Sequence, residues 1–302
     1  MMNSLTKFSR LNRHQLFPLR KRNKYLQLFR VFLKSTDDRP NAGANEAARS
    51  LCKALVEALG PIEWGENLSN LFWSFDPDKS PFPIVRARSF PSRTTSDPDD
   101  QWALEARKAL RNPKKLMSAP PPEATSDGRC HFASKPVFYG SFQEWTCMAE
   151  IRPLVGSRII FASFIPICKL NIFRPSYLQE ILNNQLSTYE EIRKMALSSN
   201  HYDITSFIYH LDLWLGHPLT SSYESSSYLA RRILCNALRQ AFQFDGLEFS
   251  SSQVSGDNIV IFPSDEKHKK FPLIYMSGST DLYHVMEASF YAEKFNTKNI
   301  FP

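Results

Sequence analysis

The feature that most constrains the fold is a change of texture near residue 128. Beyond it, short apolar runs with strand composition recur at residues 137–139, 159–164, 247–249, 258–262 and 273–276. Runs this short, rich in Val, Ile and Phe and bounded by turn residues, read as strands. A helical pattern lies among them at residues 226–242, where Leu229, Ile233, Leu234, Ala237 and Leu238 line one face. Strands and helices mixed irregularly predict an α+β fold, and no internal repeat is present.

The chain before this point reads differently. In residues 24–34, Tyr25, Leu28, Phe29, Phe32 and Leu33 follow helical spacing. A second helix is predicted over residues 46–59, with Asn45 as its cap and Gly60-Pro61 as its stop. The first 80 residues therefore read as helical, a basic extension in front of a second domain at residues 81–302. Residues 89–127, punctuated by Pro91, Pro98, Pro113 and Pro120-Pro121-Pro122, read as a surface insertion with one helical stretch, 102–110.

Composition narrows the class. Hydrophobic residues at 42% and aromatics at 13% suffice for a packed core and exclude a disordered chain. The longest apolar run, residues 159–168, is broken by Pro166, which argues against a membrane span. Five scattered cysteines (Cys52, Cys130, Cys147, Cys168 and Cys235), with no Cys-x-x-Cys pair, fit neither a disulfide framework nor a zinc knuckle, and they suit a reducing cytoplasm. The seven histidines make no ligand spacing, so no metal is expected.

The net charge of +7 is local. Residues 1–36 hold nine Lys or Arg and no acid, so the rest of the chain is close to neutral. Such an arm could touch phosphate or nucleic acid, or form part of a transit peptide; the plainer reading is a solvated helical extension. A secretory signal pattern is missing.

Candidate chemistry falls in three places. Gly128-Arg129 precedes the strand that ends at Tyr139, where an arginine can meet a carboxylate or phosphate with two parallel hydrogen bonds. Ser141-Phe142-Gln143-Glu144 reads as a capping box opening a helix that ends near Glu150. Glu150 is then either a structural ion pair with Arg152 or Arg129, or a functional carboxylate. Finally, Ser250-Ser251-Ser252-Gln253 forms a polar loop after a strand; without a His-Asp partner or Gly-x-Ser-x-Gly elbow, a serine hydrolase is not supported.

Taken in order, Gly128-Arg129, Tyr139 ten residues on, Glu150 eleven further, and Phe244-Asp245-Gly246-Leu247-Glu248-Phe249 running into Ser250-Ser251-Ser252-Gln253, with residues 258–262 behind, resemble the RES domain. The resemblance covers residues 84–262. Val85-Arg86-Ala87-Arg88 looks like the family's opening strand, and residues 228–238 like the helix leading to its serine strand. The chain departs at His131, where Asn is common, and at Ser250, where Pro is; alignment favours Ser251 as the key serine.

The family takes its name from Arg, Glu and Ser, and includes bacterial toxins that destroy NAD and are silenced by a helix-turn-helix (Xre-type) antitoxin. The resemblance implies an ADP-ribosyltransferase-like α+β fold with a mixed, split central sheet. It implies NAD+ as substrate, with no metal. Glu150 would stabilise the oxocarbenium-like ribose, and Arg129 with Arg86 or Arg88 would hold the diphosphate. Tyr139 would stack on nicotinamide or bond the ribose, and Ser251, flanked by Ser250 and Ser252, would position the substrate. Cleavage to water or phosphate, ADP-ribosyl transfer to a protein or nucleic acid, and a non-catalytic binding module all remain open, as does a homo-oligomer.

Overall fold

A computed structural model of the protein describes residues 23–38, 42–59, 71–79, 82–90, 100–178, 202–217, 224–264 and 270–287. Six of the nine basic residues in the N-terminal arm, and the Gly60-Pro61 stop, lie outside them. The elements in order are α1 (Lys24–Asp38), α2 (Ala42–Leu59), β1 (Phe72–Phe75), β2 (Ile84–Phe90), α3 (Asp100–Arg111), β3 (Phe138–Ser141), α4 (Glu144–Ile151), β4 (Arg158–Pro166), β5 (Leu170–Phe173), α5 (Tyr202–Gly216), α6 (Glu224–Phe242), β6 (Gly246–Ser250), β7 (Asp257–Ile261), β8 (Leu273–Tyr275) and β9 (Asp281–His284). The class is α+β, with helices ahead of the sheet.

α1 starts where Asn23 caps it. The Asn23 side chain accepts from the Leu26 amide at 3.0 Å and donates to the Asp203 carbonyl on α5 at 2.8 Å. α2 begins before the expected Asn45 cap, because Ala44 and Ala48 are buried with Leu51 and Leu55 and carry the packed face one turn further back. Both helices join the same apolar core as α5, α6 and the sheet: Tyr25 and Phe29 meet Phe207, and Phe29 lies edge-on to Trp214. The helical reading of the first 80 residues fails at Phe72-Trp73-Ser74-Phe75. These aromatics suit a pleated surface and pair antiparallel with β5, where Phe72 stacks on Phe173 at 5.0 Å.

The sheet runs β1-β5-β6-β7-β3-β2-β4-β8, with β9 also on β4. β5 and β6 are parallel and the other ladders antiparallel, so the sheet is mixed. It has a narrow waist: β2 pairs with β4 along its full length but with β3 through Val85↔Ser141 alone. Arg86 bridges this waist, its guanidinium donating to the Tyr139 carbonyl at 3.3 Å.

Strand alternation assigns the two faces. Leu247, Phe249, Val260 and Tyr139 point to α5 and α6, while Ile259, Ile261, Phe138 and Ile84 point to the opposite core. α3 and the turn after it cover that opposite core, burying Ala106, Ala109 and Met117.

Candidate active site

α4 carries the carboxylate. It begins at Glu144 after Gln143, whose side chain makes no capping bond, so the expected box does not form. Ser141 belongs instead to β3, and its hydroxyl donates to the Asp257 carbonyl on β7 at 2.7 Å. The helix is fixed by Cys147, whose thiol donates to the Val85 carbonyl at 3.1 Å, and it is stopped by Arg152 in the left-handed region at φ 44°. Glu150 thus sits in the last turn, half-buried, over the end of β7.

Two neutral donors hold it. Ser251 Oγ donates to Glu150 Oε1 at 2.7 Å, and Asn258 Nδ2 donates to the same oxygen at 2.9 Å. Among the described residues no cation reaches ion-pair distance, so the structural-pair reading with Arg129 or Arg152 finds no support.

Ser251 is itself positioned. Its amide donates to the Gly256 carbonyl at 2.8 Å, and its hydroxyl accepts from the Gln253 amide at 3.1 Å. This loop lies tightly against α4: Trp145 Nε1 donates to the Ser255 carbonyl, and a Cβ on Gly256, at φ 153°, would strike the Thr146 side chain. The other two serines are engaged elsewhere. The Ser250 amide donates to Asp212 on α5, and Ser252 Oγ is an exposed acceptor from Gln253.

Arg129 lies on the same face, its guanidinium 5.5 Å over the Phe249 ring. Phe249 is the register partner of Asn258, which places Arg129 one cross-strand pair from the group that holds Glu150. The arginine loop is braced by Tyr139, whose hydroxyl accepts from the Cys130 amide at 3.0 Å and meets His131 Nδ1 at 3.2 Å. A side chain at Gly128 would collide with the His131 ring, so the small residue and the imidazole fit together. Burial pushes the Tyr139 phenol well above its ordinary range and keeps it a neutral strut.

The opening-strand arginines lie on the opposite face. Arg86 sits 5.2 Å over Phe138 and is bonded to the Tyr139 carbonyl, and Arg88 donates to the Leu116 carbonyl at 3.0 Å. Neither touches Glu150 or Ser251 among the described residues. A small cavity of about 40 Å³ behind the arginine loop, lined by Cys130, His131, Val137, Asn236, Arg239 and Phe262, contains none of the carboxylate cluster. Among the described residues no group of three or more His, Cys, Asp or Glu is arranged to hold a metal ion, and no helix is long and apolar enough to cross a membrane.

Asn258 escaped the sequence reading. It was legible only as part of a strand.

An α+β domain with a carboxylate clamped between a serine loop and a central strand, and an arginine on the neighbouring ring, is the class the fold and site define. The RES domain family matches residues 98–278, and the chain belongs to that family. It is also similar to a chain in the crystal structure of the M. tuberculosis MbcT-MbcA toxin-antitoxin complex, at 7% identity and TM-score 0.32, over 77% of this chain and 93% of that one. No curated protein matches the sequence.

Proposed function

We propose that the protein cleaves the nicotinamide–ribose bond of NAD+, as the toxin of a toxin–antitoxin pair whose partner is a helix-turn-helix antitoxin, acting in the cytoplasm. The observation that carries the reading is the clamped Glu150: one carboxylate oxygen takes both the Ser251 and Asn258 bonds, which fixes the group's orientation. A preoriented carboxylate in a partly water-excluded site is what a developing ribosyl cation requires.

In this mechanism the C1′–N bond breaks and its electron pair returns to the pyridinium nitrogen, so nicotinamide leaves neutral and needs no general acid. Glu150 stabilises the positive charge on the ribose. Water or phosphate then bonds to C1′, and its proton passes to Glu150 or to solvent. Arg129 binds the anionic part of the substrate. Ser251 and Asn258 act by holding the carboxylate, and Tyr139 by holding the arginine loop. ADP-ribosyl transfer to a macromolecule would use the same first step with a different nucleophile.

Incubating the purified protein with NAD+, with and without phosphate, and separating the products by chromatography tests the reading. Nicotinamide with ADP-ribose indicates hydrolysis, nicotinamide with a phosphorylated ADP-ribose indicates phosphorolysis, and labelled protein indicates transfer. NAD+ left intact by folded protein under both conditions would reject the proposal.

A further inference from the structure

Ser251 follows directly on Ser250, the last residue of β6, and β5 pairs with that strand only at Gly246 and Leu247. Beyond Leu247 the β5 side of β6 has no strand partner among the described residues, and the Ser250 amide turns to a side chain instead. It donates to Asp212 Oδ1 on α5 at 2.9 Å. Asp212 is fully buried, and a carboxyl oxygen that accepts a backbone amide away from water is a strong tether. One turn on, Gly216 ends α5 against the same residue: a Cβ there would lie 2.3 Å from the Ser250 carbonyl oxygen. Both polar groups of the Ser250 backbone are therefore fixed by one helix, the amide by the Asp212 bond and the carbonyl by the close approach of Gly216. α5 is itself held by α1, through Asn23 and the Asp203 carbonyl near its start and through Phe29 edge-on to Trp214 near its end.

We propose that Asp212 and Gly216 are positioning residues for Ser251, setting where β6 ends so that the serine hydroxyl meets Glu150. The proposal rests on the NAD+ reading and deepens it. The Ser250 amide is bonded to α5, and the Ser251 amide to the Gly256 carbonyl across the loop. With successive amides taken by different neighbours, the peptide between the two serines has a fixed plane. It delivers Ser251 Oγ to within 2.7 Å of Glu150 Oε1. A misplacement of about 1 Å in such a constellation can cost on the order of 100-fold in rate, so a tether one residue from the serine bears on turnover as well as on stability. Ser250 then serves the site through its backbone, and α1 reaches the site through α5.

The test uses the full chain and double-mutant cycles on NAD+ turnover, with Asp212→Ala, Asp212→Asn and Gly216→Ala each made alone and in a Ser251→Ala background. Asp212→Ala should lower kcat by roughly 3- to 30-fold and move KM by less than about threefold, because the loss falls on the orientation of Glu150 and not on ground-state binding. Asp212→Asn keeps an acceptor oxygen for the Ser250 amide and should return kcat to within about twofold of wild type. Gly216→Ala displaces the same residue by its carbonyl and should match Asp212→Ala. In the Ser251→Ala background each substitution should cost less than about twofold more, since the group it positions is gone. Backbone hydrogen exchange, which needs no turnover, should quicken about tenfold in residues 246–256 of Asp212→Ala while α4 and β4 keep wild-type rates.

Losses that simply add in the Ser251→Ala background would show a general effect on the fold and overturn the proposal. So would a kcat for Asp212→Ala within about twofold of wild type, or exchange that quickens equally across the whole sheet. If Asp212→Ala does not fold, Gly216→Ala carries the test: wild-type kcat in that variant, or a loss additive with Ser251→Ala, equally overturns the proposal. The two proposals fail separately. NAD+ left intact by wild type, with faster exchange confined to the serine loop of Asp212→Ala, removes the reaction and keeps the tether. NAD+ cleavage by wild type, with Asp212→Ala turning over and exchanging as wild type does, has the reverse meaning.

Discussion

The two faces of the sheet treat buried charge in opposite ways. On the face under α6, Glu150 is held by neutral donors, with no cation at ion-pair distance among the described residues. On the other face, β6 turns Glu248 inward to a matched cation. Arg174 Nε donates to Glu248 Oε1 at 2.8 Å, Ser176 adds a bond to the same oxygen, and the Arg174 guanidinium is flanked by the Trp73 and Tyr177 rings. β6 carries Glu248 to this face and Phe249, the ring beneath Arg129, to the other, one residue out of phase. On the paired face one Glu248 oxygen is taken up by Arg174 and Ser176, whereas Glu150 is held by neutral donors alone and keeps its charge available for the ribosyl cation of the proposed reaction.

The comparison breaks most visibly at the carboxylate. Glu150→Gln keeps the shape and the hydrogen-bonding capacity but removes the charge, and NAD+ loss should fall by roughly 10³-fold or more with an unchanged far-ultraviolet circular dichroism spectrum. Activity within tenfold of wild type would move the chemistry elsewhere. On the other face the effect should appear in stability instead. Arg174→Met leaves Glu248 buried without its cation and should cost on the order of 3 kcal/mol in urea unfolding, while the catalytic constant of the remaining folded protein stays near wild type.

Ser251→Ala should have an intermediate effect. It removes one of the two donors orienting Glu150 and should lower kcat by roughly 10- to 100-fold. Ser250→Ala and Ser252→Ala, whose hydroxyls do not reach Glu150, should change it by less than about threefold. Equal losses at all three serines would dissolve the distinction the loop geometry draws.

The smallest effect sharpens the paired face. Burial raises the Glu248 carboxyl to about 7 from 4.5, against the opposing pull of Arg174. A raised carboxyl means that the folded state binds the proton more tightly than the unfolded chain, so this group's contribution is full below about pH 4.5 and declines as pH rises towards 7. The melting temperature should fall across that window, and Glu248→Gln should flatten the slope. An identical pH profile in the variant would show that the pair stays ionised throughout.

Much of this was legible in the residues. Five apolar runs announced β3, β4, β6, β7 and β8, because period-two burial and β-branched composition are local properties. β1 and β9 were not: Phe72-Trp73-Ser74-Phe75 becomes a strand by finding β5, and Asp281–His284, exposed throughout, by adding to the edge of β4. Ser141 shows the opposite failure. Its local pattern matched a capping box, but β7 offered the Asp257 carbonyl and the strand won.

The order and spacing of Arg129, Tyr139, Glu150 and Ser251 were sufficient to point to the family, since those residues are fixed along the chain by the strand and helix that carry them. Which serine meets the carboxylate, that Asn258 shares it, and that Arg129 lies over the Phe249 ring were decided only by tertiary structure. Each depends on which face of a strand or helix a side chain occupies once distant segments pack, and a sequence records neighbours along the chain but not the partners that burial supplies or withholds.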